Sequence, residues 1–236
     1  MEFLSQTYVA LRGPTGLPQT PADTIGRLSD RLSPATLLAD RRAAVLALKG
    51  LARDCKEEVG DRALPGLLEV LYNDSEVDAD TGKAVLETLN ALCDTEDPTP
   101  GSKELGSKHT NFVLANEKPT HSLFSLLGDT NFYTRFATLQ YLTTLLRNRR
   151  QAVQSYFLTA PAGPGSAIMA LEDKREIIRN GEPPNFSISP TRRANRLNNL
   201  PTFRLLLFLL AGIQILIVFF KYRGHQHDSR ANITKS

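Results

Sequence analysis

Apolar positions recur at helical spacing through most of the chain, and the widest pattern covers Leu37 to Val59. Leu38, Val45, Leu48, Ala52, Cys55 and Val59 step by sevens, threes and fours, and Ala44, Ala47 and Leu51 add a second stripe beside them. One stripe suffices for a helix in a two-layer bundle. Two stripes predict a helix packed on both sides, as in an α-solenoid. Asp40 is the candidate N-cap, which puts Arg41 and Arg42 in the first turn, where the macrodipole disfavours cations. Two readings of these residues stay open. They pair with carboxylates of a neighbouring repeat, or they form a partner-facing basic patch with Lys49 and Arg53.

Further elements come in chain order. Glu2 to Leu11 predicts a short helix, broken by Gly13-Pro14-Thr15-Gly16-Leu17-Pro18. Asp23 or Thr24 caps a helix with the stripe Ile25, Leu28, Leu32, which Ser33-Pro34 ends. After the long helix, Gly60-Asp61 reads as a turn into Ala63 to Tyr72, with Pro65 in its first turn and Asn73-Asp74-Ser75 closing it. Asp80 to Cys93 is helical through Val85, Leu86, Leu89 and Leu92, and Asp94 to Lys108 reads as a polar loop. Ser122 to Leu127 then echoes Gly66 to Leu71, and Phe136, Leu139 and Leu142 echo Leu86, Leu89 and Leu92, at offsets of 56 and 50 residues. Gln151 to Leu158 and Ala167 to Ile178 continue the series across a Pro/Gly-rich break at 161–165. Imprecise repeats of two or three helices at roughly 40–50 residues belong to the armadillo and HEAT class. The expected fold is all-α, an armadillo/HEAT-like solenoid fragment followed by a linker and a C-terminal hydrophobic helix.

Charge divides the chain. Of its 28 Lys/Arg and 25 Asp/Glu, residues 181–236 hold 8 and 2, leaving a slightly acidic 20 and 23 in residues 1–180. A slightly acidic head with no clustered Lys/Arg and no aromatic-basic interleaving argues against nucleic acid as its partner. Cys55 and Cys93, the only cysteines, lie in apolar helical patterns and read as reduced, buried thiols, which places the head in the cytosol. The N-terminus lacks the basic start and apolar core of a secretory signal. Catalytic chemistry is absent from the pattern. His109 and His121 have no nucleophile and carboxylate at a recognisable spacing and read as solvated. His225-Gln226-His227-Asp228 lacks further ligands, and Gly163-Pro164-Gly165-Ser166 lacks the lysine of a phosphate loop, so no metal or cofactor is expected.

The residues also carry a resemblance. Thr36-Leu37-Leu38-x-Asp40-Arg41-Arg42-x-Ala44-Val45-x-Ala47-Leu48-Lys49-x-Leu51, with Glu58-Val59-Gly60 behind it, resembles the start of the globular head of the Uso-type vesicle-tethering factors. Thr24-Ile25-x-x-Leu28-x-x-Arg31 and Leu171-x-Asp173-x-Arg175-Glu176-x-Ile178-Arg179-Asn180 are similar to the same family at the two ends of the match. The resemblance implies a non-catalytic, armadillo-like head over residues 20–180, acting in endoplasmic reticulum to Golgi transport. It further implies Rab-family GTPases, golgins and SNAREs as partners, on the cytoplasmic face of Golgi and transport-vesicle membranes.

The chain departs from that family after Asn180. Family members continue with more repeats and a coiled coil, whereas here a basic linker (181–202) follows the N-terminal segment (1–19) and head, so the head reads as truncated and the coiled coil as absent. Residues 203–223 are an expected transmembrane helix before a polar tail, 224–236. Its apolar face is Leu205, Leu206, Leu207, Phe208, Leu209, Leu210, Ile213, Ile215, Leu216, Ile217, Val218, Phe219 and Phe220, 16 residues of run against the roughly 20 of a full span. Basic residues flank it on both sides, so orientation is not set by charge; the cytosolic head predicts a tail anchor.

Overall fold

The computed structural model describes residues 20–171, and the described residues are helices joined by turns. They are α1 (Pro21–Asp30), α2 (Leu38–Leu51), α3 (Lys56–Asp74), α4 (Ala79–Cys93), α5 (Ser102–Leu114), α6 (Glu117–Leu126), α7 (Phe132–Thr159) and α8 (Gly163–Leu171). The expected helices at 2–11 and 203–223, the linker and the polar tail lie outside the described residues. Among the described residues no helix is long and apolar enough to cross a membrane.

Local chemistry sets several helix ends. Thr20 caps α1 and forms a capping box with Asp23: its hydroxyl accepts from the Asp23 amide at 3.1 Å, and the Asp23 carboxylate accepts from the Thr20 amide. The cap expected at Asp23 or Thr24 thus lies one turn earlier, with Pro21 at the first helical position. Asp78 caps α4 through the amides of Asp80 and Thr81, and Asn131 caps α7 through those of Tyr133 and Thr134.

Three expected elements are redrawn. The helix read as Leu37 to Val59 breaks after Leu51 at Ala52–Cys55, where Cys55 leaves the helical region (φ −125°, ψ 49°), and Leu37 rather than Asp40 occupies its N-cap position. Gly60-Asp61 is not a turn but lies inside α3, and Pro65 is interior to that helix rather than in its first turn. Residues 102–108, read as loop, begin α5. The buried side of α5 is Ser102, Gly106, His109, Thr110, Val113 and Leu114, too small and polar to show an apolar period. Gly106 is required there because a Cβ would meet the Asp94 carbonyl oxygen at 2.6 Å. Gln151 to Leu158 lies, as expected, in a helix of its own: Arg149 leaves the helical region (φ −143°, ψ 65°), and α7 is two helices joined across that kink.

The helices stack in rows. α2, α4 and α7 run parallel, since Arg42 meets Asp80 and Lys49 meets Glu87 between the first two, while Lys83 meets Tyr133 and Asn90 meets Thr144 between the last two. α1, α3, α6 and α8 form the second layer, with α3 and α4 an antiparallel pair and α5 wedged against α3, α4, α6 and α7. One core results, containing Ile25, Leu32, Leu48, Leu67, Leu71, Leu86, Leu89, Leu92, Phe124, Tyr141 and Phe157. This layered stack is the solenoid expected from the doubled stripe.

His109 is not solvated. It is 1% exposed, its Nδ1 lies 2.9 Å from the Leu92 carbonyl, and its Nε2 faces Gly60, where an added Cβ would approach to 2.0 Å. A carbonyl accepts only, so Nδ1 carries the proton and donates. Burial lowers the His109 pKa from its ordinary 6.5. Above about pH 6.5 both states are neutral. As pH falls below that value the unfolded chain takes up the proton first, so stability falls until the pH reaches the depressed folded value. Urea unfolding between pH 7.5 and 5 should therefore show declining stability, and His109→Gln should flatten part of the slope. Gly60→Ala should cost about 1–3 kcal/mol at pH 7.5 by forcing the ring to move. Burial pushes the fully buried Cys93 thiol up to about 11. A thiol-specific reagent should modify Cys55 at least tenfold faster than Cys93 in the native protein and equally in denaturant.

Candidate interaction surface

The solvent side of the α2/α4/α7 row carries a ladder of charge. Arg42, Lys49 and Lys56 are seven residues apart, and so are Asp80, Glu87 and Asp94, each pair offset by 38. Seven residues are two helical turns, so cations on α2 and at the start of α3 stand beside acceptors on and after α4. Arg42 reaches Asp80 at 2.8 Å and Asp78 at 3.5 Å, and Lys49 bonds Glu87. Lys56 ends the ladder differently. It is buried, with Nζ donating to the Asp94 carbonyl at 2.6 Å and Ser102 Oγ at 2.7 Å, and burial lowers its pKa. It thereby clips the α4–α5 connection to the start of α3.

Arg41 sits one position off the ladder and faces inward. Its Nε and Nη2 grip the Asp74 carboxylate at 2.6 and 2.8 Å, Nη1 donates to the Thr36 carbonyl, and the two side chains are only 12% and 9% exposed. The hydrogen bond to Asp74 is the main reason its pKa rises further. Of the four residues read as a basic patch, the fold ties Arg41 to the α3 terminus, pairs Arg42 and Lys49 with α4, and leaves Arg53 exposed in the turn before α3.

A second polar join was not read from the sequence. Asn148 Nδ2 donates to the Cys93 carbonyl and to Thr110 Oγ1, both at 2.8 Å, and its Oδ1 accepts from Thr95. Next to it Arg149 donates to Asn111 Oδ1 at 2.7 Å and Ser107 Oγ at 3.0 Å. The kink lies where α7 passes from lying beside α4 to lying beside α5. No local pattern marks Asn148, whereas the seven-residue spacing of both charge rows was present as a signal. Among the described residues no group of His, Cys, Asp and Glu could hold a metal ion.

Human general vesicular transport factor p115 is 35% identical to this chain over 171 residues, 70% of the chain and 18% of p115. Intracellular protein transport protein uso1 of Schizosaccharomyces pombe is 29% identical over 182 residues, 77% of the chain and 17% of uso1. The crystal structure of Uso1-2 superposes with a TM-score of 0.61 at 27% identity, covering 70% of this chain and 29% of that one. The chain belongs to the p115/Uso1 family. Its helical stack is the armadillo-like architecture of the solved Uso1 structures. No family model matches the chain. The chain spans about a fifth of the length of the p115/Uso1 relatives it matches.

The inward pair and the ladder differ in expected cost. Arg41→Ala leaves the Asp74 carboxylate buried without its cation and should lower stability by about 3–5 kcal/mol. Lys49→Ala removes an exposed pair and should cost about 1 kcal/mol or less. Urea unfolding of both variants checks this, and equal losses would show that the Arg41–Asp74 pair does not hold the α2–α3 register.

Proposed function

We propose that residues 20–180 are a partial vesicle-tethering head, a non-catalytic interaction module acting in endoplasmic reticulum to Golgi transport and in vesicle docking at Golgi membranes. The observation that carries this is the 35% identity to p115 over 171 residues, on a fold that superposes with Uso1. Physical chemistry supports the same reading: a stack of helix rows offers a long rigid face for another protein, as solenoids do. Rab-family GTPases, golgins and SNAREs are the proposed partners, and the cytoplasmic face of Golgi and transport-vesicle membranes is the proposed location.

Arg42, Lys49 and Arg53 are the proposed partner-facing cations, with Arg41 behind them fixing the helix that presents them. A partner carboxylate competes with Asp80 and Glu87 for the first two, so the ladder sets register and polarity for an incoming acidic surface more than affinity. The proposed organisation is a segment 1–19, the head 20–180, a basic linker 181–202, an apolar segment 203–223 and a polar tail 224–236. A second reading rests on the apolar run: residues 203–223 anchor the chain by its tail, giving constitutive membrane attachment to an adaptor or to a product without full tethering activity.

Purified full chain mixed with Golgi membranes or with purified Rab-family GTPases loaded with GTP or GDP tests the first reading. Binding should depend on the nucleotide state, and Arg42→Glu/Lys49→Glu/Arg53→Glu should weaken it at least tenfold while leaving the helical signal intact. Absence of binding to any of them would overturn the tethering assignment. Alkaline carbonate extraction after synthesis with microsomes separates the readings, since a tail-anchored chain stays in the pellet.

A further inference from the structure

Residues 95–101 form an excursion closed at its neck by Lys56. The Lys56 ammonium donates to the Asp94 carbonyl at 2.6 Å and to Ser102 Oγ at 2.7 Å, so both ends of the α4–α5 connection are held to the start of α3. Just past the neck, the Thr95 hydroxyl donates to Asn148 at 2.8 Å and Glu96 pairs with Arg147 at 2.9 Å. From Asp97 onward the hydrogen bonds are local. Asp97 Oδ1 accepts from the Thr99 amide at 3.0 Å and from the Thr99 hydroxyl at 2.7 Å, and the Ser102 amide donates to the Thr99 carbonyl across a turn with Gly101 at φ 78°. Pro98, Thr99, Pro100 and Gly101 are exposed, and neither proline has an amide to leave unpaired. This tip can be drawn out straight without disturbing α4, α5 or the core.

Thr99-Pro100 is one of three places among the described residues where a hydroxyl precedes a proline, the dipeptide that proline-directed kinases modify, and the other two are tied down. Thr20 is the N-cap of α1: its hydroxyl is shared with Asp23, and Pro21 is already helical. Ser33-Pro34 lies in the α1–α2 turn, where Arg41 donates to the Pro34 and Thr36 carbonyls while gripping buried Asp74, so straightening that turn breaks into the inward ion pair. Thr99 gives up only its bonds with Asp97 and Ser102. Its surroundings also hold cations. Arg53 is exposed in the turn before Lys56, and the Asp97 carboxyl is held below its ordinary 3.8 first by the Thr99 hydroxyl and amide, then by the charges of Lys56 and Arg53. Lys56 is committed to the neck, and Arg53 remains at the surface.

We propose that Thr99 is a phosphorylation site for a proline-directed protein kinase and that its phosphate, once added, leaves Asp97 and pairs with Arg53. The Thr99 hydroxyl oxygen attacks the γ-phosphorus of a nucleoside triphosphate. The new O–P bond forms as the bond to the β-phosphate oxygen breaks, the nucleoside diphosphate leaves, and the hydroxyl proton passes to the kinase's base. The product has lost the donor that Asp97 accepted and carries a charge of about −1.5 to −2 beside that carboxylate. Like charge drives the tip off Asp97, and the guanidinium of Arg53 offers the phosphate charge-assisted hydrogen bonds. Lys56 keeps the neck closed, so the movement is confined to the tip. Where Arg53 faces an acidic partner, as proposed above, the phosphate withdraws it, and that consequence alone rests on the tethering reading.

The full chain and a free peptide of residues 92–105, each incubated with ATP and either a mitogen-activated or a cyclin-dependent kinase, test the site, with the phosphate located by mass spectrometry. Thr99 of the folded chain should be phosphorylated at least tenfold faster than Ser33 or Thr20, and at a rate close to that of the free peptide. A modified peptide beside an unmodified chain would show that the fold withholds the tip, and modification of neither would show that these kinases do not accept it; either result overturns the site. Phosphorus NMR of the modified chain tests the pairing. Arg53→Gln should raise the midpoint of the phosphate's titration, because the ion pair favours the dianion, and should raise it more than Lys103→Gln does. A midpoint indifferent to Arg53, or more sensitive to Lys103, overturns the pairing. Neither measurement uses a vesicle partner, so its failure is separate from failure of the tethering assignment.

Discussion

Helix α4 has almost no free side, and the rest of the fold depends on it. Thr81, Gly82, Ala84, Val85, Leu86, Thr88, Leu89, Leu92 and Cys93 are all buried, against α2 and α7 in its own row, α3 across the layer and α5 at its end. A helix buried this completely cannot hold its place by burial alone, because apolar contacts are nondirectional and tolerate sliding and rotation. Its small residues set how near the neighbours come. Gly82 packs on the Ser75 backbone, and an added Cβ would stand 3.1 Å from the Ser75 Cα.

Polar joins supply the missing register. The Arg42–Asp80 and Lys49–Glu87 pairs index α2 against α4 at intervals of two turns, Thr144 on Asn90 indexes α7 against α4, and Asn148 ties α7 to both the Cys93 carbonyl and α5. Exposed members add little stability, since solvent screens them. Their effect is on which of several apolar packings is adopted. The inward members are different in kind: Arg41 with Asp74, Lys56 with Asp94 and Ser102, and Asn148 with its three partners are satisfied networks in which removing one group orphans another.

A stack assembled this way suits recognition better than catalysis. Burial holds His109 and Cys93 in their uncharged forms, and the inward ions Arg41, Asp74 and Lys56 are engaged in pairs and hydrogen bonds rather than poised at a cleft. The features that meet solvent in order along the rows are instead charge and apolar side chains on a rigid edge. That arrangement is the one expected where the p115/Uso1 family places its armadillo-like head.

The all-helical class, the packed-on-two-sides helix and the repeat echo were legible in the sequence, because each follows from residue spacing at a helical period. The echo of Leu86, Leu89 and Leu92 in Phe136, Leu139 and Leu142, at an offset of 50, is the offset at which Lys83 meets Tyr133 in the folded chain. The family was legible too, from ordered motifs. Where local pattern was ambiguous only the tertiary structure decided. Gly60 looked like a turn and is an interior helical position made bare for the His109 ring; residues 102–108 looked like loop and are a helix whose inner face is small and polar. Arg41 and Arg42, adjacent and alike in sequence, part company because 100° of helical rotation turns one to Asp74 inside and the other to Asp80 at the surface. Spacing reports which side of a helix is apolar. It does not report which carbonyl, ring or carboxylate a distant segment brings to that side, and that is what distinguishes a buried ion pair from a surface one.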